Sequence, residues 1–290
     1  MKWLAVFLVV AGLLFAGAAI RKRGAPPAPA GPDTSAPSAD HRERVRRFWE
    51  TYRRATDLRI AGRSAEAAEA YARALEFNPR HQDALYYQGN MAFDLGRLAD
   101  AERAWQLLVT VDPSYARGHS QLGVLYSCVG EPALLDLPRA SAEFQRALEI
   151  NREETGPLLH LGEIALLQGD LAQARSWFDK VVGSNFSSVE ALFYRGYLAW
   201  KADAPDRATQ LLAVAAGHSR PAEPRTSVPG EGDTRAGQGP MVANPARCRP
   251  MRAAVHDLAA VDPDAVTSRA GPIYRAFDAL LGNVRRTLPR

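Results

Sequence analysis

Small residues recur at a nearly constant interval along the middle of this chain. The glycines lie at intervals of 34, 34 and 39 residues, at Gly62, Gly96, Gly130 and Gly169. Alanines follow them at intervals of 34, 39, 34 and 34 residues, at Ala67, Ala101, Ala140, Ala174 and Ala208. Four residues after each alanine stands a bulky apolar side chain: Tyr71, Trp105, Phe144, Phe178 and Leu212. Such a period predicts an array of similar units, each burying its apolar face against the next.

A second set of small residues occurs once per repeat, before each of these four glycines and once more near the end of the array: Ala55, Gly89, Gly123, Gly162 and Gly196. Mid-helix glycine costs about 1 kcal/mol relative to alanine. We expect this cost to be offset by close approach of a paired helix. The glycines of the first set are expected to adopt the positive φ of a turn between two helices. In the last unit Asp203 stands in their place.

This pattern resembles the tetratricopeptide repeat, a helix–turn–helix unit of about 34 residues. The resemblance covers five units, called units one to five below: residues 48–81, 82–115, 116–154, 155–188 and 189–218. It implies an all-α fold, an α-solenoid of about five repeats within a domain of residues 41–218. Unit three departs from the pattern, because ten residues separate Gly130 from Ala140 where the other units have five. We expect this insertion, with Pro132 and Pro138, to bulge from the turn between its helices.

The family binds partners in a concave groove lined by the first helix of each unit. Carried over by position in that helix, the resemblance implies a partner-binding groove at Trp49, Tyr52, Tyr86, Asn90, Phe93, Arg117, Glu163, Phe193, Tyr197 and Trp200. Tyr and Trp are the residue types that most often anchor protein interfaces. The alternative, that single aromatic residues among them only pack between units, stays open. The expected partner is a peptide or helix of another protein.

No catalytic constellation accompanies the repeats. The six histidines form no metal-binding pair on a helix, and no nucleophile can be matched with a base. We therefore expect no enzyme activity, no cofactor, no metal and no small-molecule substrate. The net charge of +4 is modest and no basic stripe is present, so nucleic acid is not an expected partner. The two cysteines, Cys128 and Cys248, lie far apart and are expected to be free thiols.

The N-terminus predicts a membrane anchor. Residues 3–20 carry no charge and are followed by the sequence RKR, a length at the short end of what spans a bilayer. A cleaved signal peptide is the rival interpretation, because the segment contains the small residues Ala16, Gly17 and Ala18. The positive charges favour an uncleaved signal-anchor over residues 1–23, with the bulk of the chain in the cytoplasm. Residues 24–40, rich in Pro and Ala, are expected to form a spacer.

The C-terminal part is predicted to hold a disordered linker, residues 219–250, and helices within residues 251–290. Residues Ile273, Phe277, Leu280, Leu281 and Val284 fall on one helical face. This stripe predicts either a cap on unit five, the favoured alternative, or an occupant of the groove. The sequence thus favours a membrane-tethered interaction scaffold or adaptor. The alternative is a factor for cell-envelope assembly or export that acts on the far side of the membrane.

Overall fold

The computed structural model describes residues 38–131, 133–219, 248–262 and 265–288. The chain divides into two units, Met1–Arg42, described here only from residue 38 onward, and the compact unit Glu43–Arg290. The described residues contain twelve helices and no strand: α1 Ala39–Ile60, α2 Ser64–Phe77, α3 Gln82–Asp94, α4 Leu98–Val111, α5 Ala116–Tyr126, α6 Leu137–Ile150, α7 Thr155–Gln168, α8 Leu171–Ser184, α9 Val189–Lys201, α10 Pro205–Ser219, α11 Pro250–Ala259 and α12 Val266–Thr287.

The predicted anchor, the spacer up to residue 37 and residues 220–247 lie outside the described residues. Within the described ranges, no helix combines the length and the apolar character that crossing a bilayer requires.

The first ten helices form five successive pairs, one for each predicted unit, although α1 begins at Ala39, before the predicted start of unit one at residue 48. Helices α1, α3, α5, α7 and α9 are the first helices of units one to five, and the even-numbered helices are the second ones. The turns within a pair are two or three residues long, except in unit three. The repeat alanines are buried at these helix contacts: Ala67, Ala101, Ala140, Ala174 and Ala208 are at most 1 % exposed. The arrangement is an α-solenoid, as predicted.

The mid-helix glycines make room for the large ring of the second helix in the same unit. A Cβ atom on Gly89 would overlap the Trp105 ring, and one on Gly162 would overlap the Phe178 ring. Phe178 also stacks on Tyr194 of the next unit, with ring centroids 4.7 Å apart. Each ring therefore fills a space bounded by its own first helix and by the following unit. At Gly89 and Gly162 a side chain would force the ring to shift, whereas unit one accommodates Ala55 beside the buried Tyr71.

The positive φ predicted for the turn glycines is confirmed in three units and is wrong in one. Gly62, Gly96 and Gly169 have φ of 73°, 75° and 86°, and Asp203 of unit five adopts φ of 56°. Aspartate is one of the few side-chain-bearing residues that tolerate this region. Gly130 is not among the left-handed glycines of the described residues. The expectation of a positive φ there was wrong, because the longer connection of unit three replaces the tight turn.

The inserted connection of unit three is tied back to the repeat. The Asp136 N–H donates to the Tyr126 carbonyl at 2.8 Å. The Asp136 side chain accepts from the Arg139 N–H at 2.9 Å and caps α6. Leu134 is half-buried against the core of units two and three. The connection thus contributes apolar contact to the stack.

Helix α12 covers the end of unit five. Its apolar stripe, Ile273, Phe277, Leu281 and Val284, is buried. Unit five has Leu212 where the preceding units have an aromatic ring, and Tyr274 of α12 approaches Gly196 in its place. The Tyr274 hydroxyl donates to the Ala208 carbonyl at 3.2 Å. One part of the C-terminal segment therefore serves as the predicted cap.

Candidate partner-binding face

The first helices α1, α3, α5, α7 and α9 form one continuous face, called here the first-helix face. The ten residues predicted to line the groove divide into two groups by exposure. Trp49 and Arg117 are exposed, and Tyr52, Tyr86, Asn90 and Trp200 are partly exposed. Phe93, Glu163, Phe193 and Tyr197 are buried. Apart from Trp200, the accessible residues all lie on units one to three.

Aromatic side chains on units one and two form a patch, defined here as Trp49, Tyr52, His81, Tyr86 and Tyr115. The patch begins on α1, where the Trp49 ring is 42 % exposed and lies edge-on to Tyr52 at 5.8 Å between centroids. His81 lies 5.6 Å from Trp49 and 5.2 Å from Tyr52. The buried Phe48 supports this group from below, 4.6 Å from His81. Trp49 thus packs against Phe48, Tyr52 and His81 while nearly half of it stays exposed.

The patch continues onto unit two. Tyr86 lies 5.9 Å from Tyr115, whose hydroxyl donates to the Asp83 carboxylate at 2.9 Å. Beside these rings, the Gln121 amide donates to the Asn90 side chain at 3.1 Å. Burial raises the pKa of Tyr52 to about 12 and lowers the pKa of His81. These two side chains are therefore neutral at pH 7, and this part of the patch offers apolar area with polar edges.

Phe93 does not belong to the patch. It is 7 % exposed and packs against Trp105 at 5.8 Å between ring centroids. The prediction that Phe93 lines the groove was wrong, because its side chain fills the space between the two helices of unit two.

On units four and five the chain's own C-terminal segment covers the first-helix face. The Tyr197 hydroxyl donates to the Asp278 carboxylate of α12 at 2.6 Å, and the Lys201 ammonium donates to the same oxygen at 3.2 Å. The Phe193 ring lies 5.3 Å from that of Phe277. Phe193 and Tyr197 were expected to be open to a partner, but α12 packs against both of them and buries them.

Glu163 of α7 is buried in a polar cluster. Its carboxylate accepts from the Tyr194 hydroxyl at 2.9 Å and from Arg252 Nε of α11 at 3.3 Å. The second oxygen lies 3.0 Å from His160 Nδ1. Burial alone would raise the pKa of Glu163, yet Arg252, with His160 and Tyr194, holds the pKa below its usual value. This predicted groove residue therefore anchors α11 and is closed to an external partner.

The polar cluster constrains the protonation of His160 as well. Burial, reinforced by the charges of Arg252 and Arg249, lowers the pKa of His160 to about 3. The imidazole is neutral at pH 7, so its contact with Glu163 is a hydrogen bond between a neutral ring and a carboxylate.

A disulfide joins the C-terminal segment to unit three. Cys128 and Cys248 are bonded across a separation of 120 residues, and the Val129 N–H donates to the Cys248 carbonyl at 3.4 Å. The expectation of two free thiols was wrong. Neither cysteine has a sequence neighbour that signals pairing. The only available signal was an even cysteine count together with an N-terminal segment that could direct export.

Comparison with known proteins identifies the repeating unit. The model of the tetratricopeptide repeat matches residues 52–116 and 133–187. These segments are similar to tetratricopeptide repeats. The gap between the two matches, residues 117–132, contains most of α5 and the first part of the inserted connection of unit three.

Solved structures show the same fold. PilF of Pseudomonas aeruginosa superposes with a TM-score of 0.55 at 16% identity, covering 82% of this chain and 99% of that one. PilW, described as a widely conserved type IV pilus biogenesis factor, gives 0.54 at 13% identity, covering 81% and 91%. MamA gives 0.51 at 20% identity, covering 60% and 92%. At these identities the likeness establishes the fold alone. No curated protein matches this chain in sequence.

The described residues offer no site for a metal built from three or more His, Cys, Asp or Glu side chains. Their main accessible feature on the first-helix face is the aromatic patch on the first two tetratricopeptide repeats.

Proposed function

We propose that this protein is a protein–protein interaction scaffold that captures a peptide or helix of a partner on the first-helix face of units one to three. The observation that carries the proposal is the aromatic patch, where Trp49 is held by packing yet 42 % exposed. A rigid, amphipathic ring on an open face loses little conformational entropy on binding, and such rings dominate interface energetics. Asn90 and Arg117 add polar contacts at the same face.

The patch is also the part of the first-helix face that an incoming partner can reach. In units four and five, α11 and α12 bury the equivalent positions Glu163, Phe193 and Tyr197, while Trp200 stays partly exposed. A partner that engaged those units would first have to displace the C-terminal segment. We therefore place the binding site on the N-terminal repeats, with Trp49, Tyr52 and Tyr86 as anchors.

The proposal includes a tether through residues 1–23, followed by the spacer, which would hold the repeats near a membrane surface. We propose no catalytic activity for the repeats.

A second candidate function is a role in envelope assembly or export on the far side of the membrane. The disulfide favours it, because disulfides persist in oxidising compartments and are rare in the cytosol. The charges that follow the apolar segment favour the cytoplasmic side instead. A reporter fused after Arg290 that is active only in the cytoplasm decides between the two locations.

Photo-crosslinking tests the binding site. A photoreactive amino acid is placed at position 49 of the full chain in its native membrane, and a control protein carries it at Phe186, which is 77 % exposed in the loop after α8. We expect a defined crosslinked product from position 49 that is absent from position 186. The product should disappear when Tyr86 is also changed to Ala. Equal products from both positions would contradict a site on the first-helix face.

A further inference from the structure

A small cavity lies where the C-terminal segment meets units three and four. The described polar residues that line it are Ser127, His160, Glu163, Arg249 and Arg252. Its volume is about 20 Å³, and one water-sized sphere needs about 10–15 Å³. The cavity therefore has room for one water molecule or one small ion.

Two cationic side chains on the wall of this cavity have donors without partners. The Nε atom of Arg249 and the Nη2 atom of Arg252 are buried, and neither makes a hydrogen bond in the part of the chain that the structure describes. Glu163 already accepts from Tyr194 and Arg252 on one oxygen and faces His160 with the other. Both donors are therefore available to an acceptor bound in the cavity.

Among the described residues that line the cavity, positive charge predominates. Arg249 and Arg252 are cationic and Glu163 is anionic, while His160 is neutral at pH 7. Glu190 also acts on Arg252, and it forms an ion pair with His256 at 3.3 Å. Helix α11 also begins here, at Pro250, and its N-terminus adds positive potential. The positive charge, the unpartnered N–H donors of the two arginines and the size of the cavity all favour a small anion as the occupant.

We propose that this cavity binds one small inorganic anion of about the size of chloride, held by Arg249 Nε and Arg252 Nη2. Both arginines belong to the C-terminal segment, whereas Ser127, His160 and Glu163 belong to the repeats. The site is complete only while that segment is docked. Anion binding therefore stabilises the covered state of units four and five, and anion concentration influences how firmly the segment stays in place.

Bromide is the first probe, because it replaces chloride and is located by its anomalous scattering. Crystals of the full chain are soaked in sodium bromide. We expect an anomalous peak within hydrogen-bonding distance of Arg249 Nε and Arg252 Nη2. A cavity that contains only water, with no anomalous peak, would overturn the proposal.

Thermal unfolding provides an independent measurement. The full chain is melted in sodium chloride and in sodium gluconate at equal ionic strength, since gluconate is too large for the cavity. Chloride is expected to raise the Tm by about 3 °C. The rise should vanish in Arg249→Gln and persist in the control Arg207→Gln, which alters an exposed arginine of α10. A rise that persists in Arg249→Gln would refute the site. If that variant does not fold, the bromide experiment on the unaltered chain decides.

Discussion

The two ends of the first-helix face use equivalent repeat positions for different purposes. Tyr86 in unit two and Phe193 in unit five both occupy the fifth position of their first helix. Tyr86 is partly exposed beside Tyr115, whereas Phe193 is fully buried against Tyr274 and Phe277 of α12. The same contrast holds one helical turn later, between Asn90 and Tyr197.

The difference shows that position within a repeat does not decide whether a side chain is exposed and so accessible to a partner. In units one and two the first-helix face carries the aromatic patch, which is partly exposed among the described residues. In units four and five the same face carries more apolar area, and the chain's own C-terminal segment buries it. The segment is held there by a disulfide, by the Glu163–Arg252 pair and by the stripe of α12.

Removing the disulfide is the change with the largest expected effect on this contrast. Replacing both Cys128 and Cys248 by Ser opens a loop of 120 residues, for which loop-closure entropy predicts a loss of about 4–5 kcal/mol. Hydrogen exchange followed by mass spectrometry should show faster exchange in α9, α11 and α12. Exchange in α2 to α4 should stay as it is. Unchanged protection of α11 would show that the disulfide does not hold the segment.

Alanine substitution at the shared fifth position compares the two ends directly. We expect Phe193→Ala to cost about 3–5 kcal/mol in the free energy of unfolding, because it leaves a cavity under α12. Tyr86→Ala should cost about 1 kcal/mol, since its ring is only partly buried. Urea unfolding followed by circular dichroism measures both values. Equal losses would contradict the division of the face.

A substitution inside the stack tests the register common to both ends. Ala101 is fully buried between the helices of unit two, so Ala101→Leu should destabilise the fold by about 1–3 kcal/mol through overpacking. Ala99→Leu on the exposed side of the same helix serves as the control and should leave the Tm nearly unchanged. A Tm that falls equally in both variants would argue against the assigned register.

Mild acidification should lower the free energy of unfolding, and by less than the substitutions above. The pKa of His160 is about 3 in the folded chain and about 6.5 when unfolded. The unfolded state therefore takes up the proton first, and stability that is present above pH 6.5 is lost as the pH falls towards 3. Between pH 7 and pH 5.5 the loss is about 1 kcal/mol. Below about pH 4.5, protonation of Glu163 acts in the same direction, because its folded pKa is also lowered.

Urea unfolding at pH 7 and pH 5.5 measures this loss, with His160→Gln as the comparison. If the variant loses as much stability as the unaltered chain, other groups carry the pH dependence.

Local sequence was sufficient to predict the repeat architecture. The mid-helix glycines, the buried alanines and the following rings are separated by one unit length, and each satisfies a contact within a helix pair or with the next unit. Such contacts recur at a regular interval, so the sequence shows them directly. The turn at Gly130 could not be predicted in this way, because the inserted connection removes the constraint that the other units share.

The coverage of units four and five depends on tertiary structure. The stripe of α12 shows that an apolar surface must be buried, but a cap and a groove occupant satisfy this requirement equally well. The chain does both: Tyr274 fills the end of unit five, while Asp278, Arg252 and Cys248 attach the segment to the first-helix face. Pairing of Cys128 with Cys248 depends on where 120 intervening residues place the two sulfurs. The sequence determined the repeats through short-range periodicity, and only folding brought the distant segment onto them.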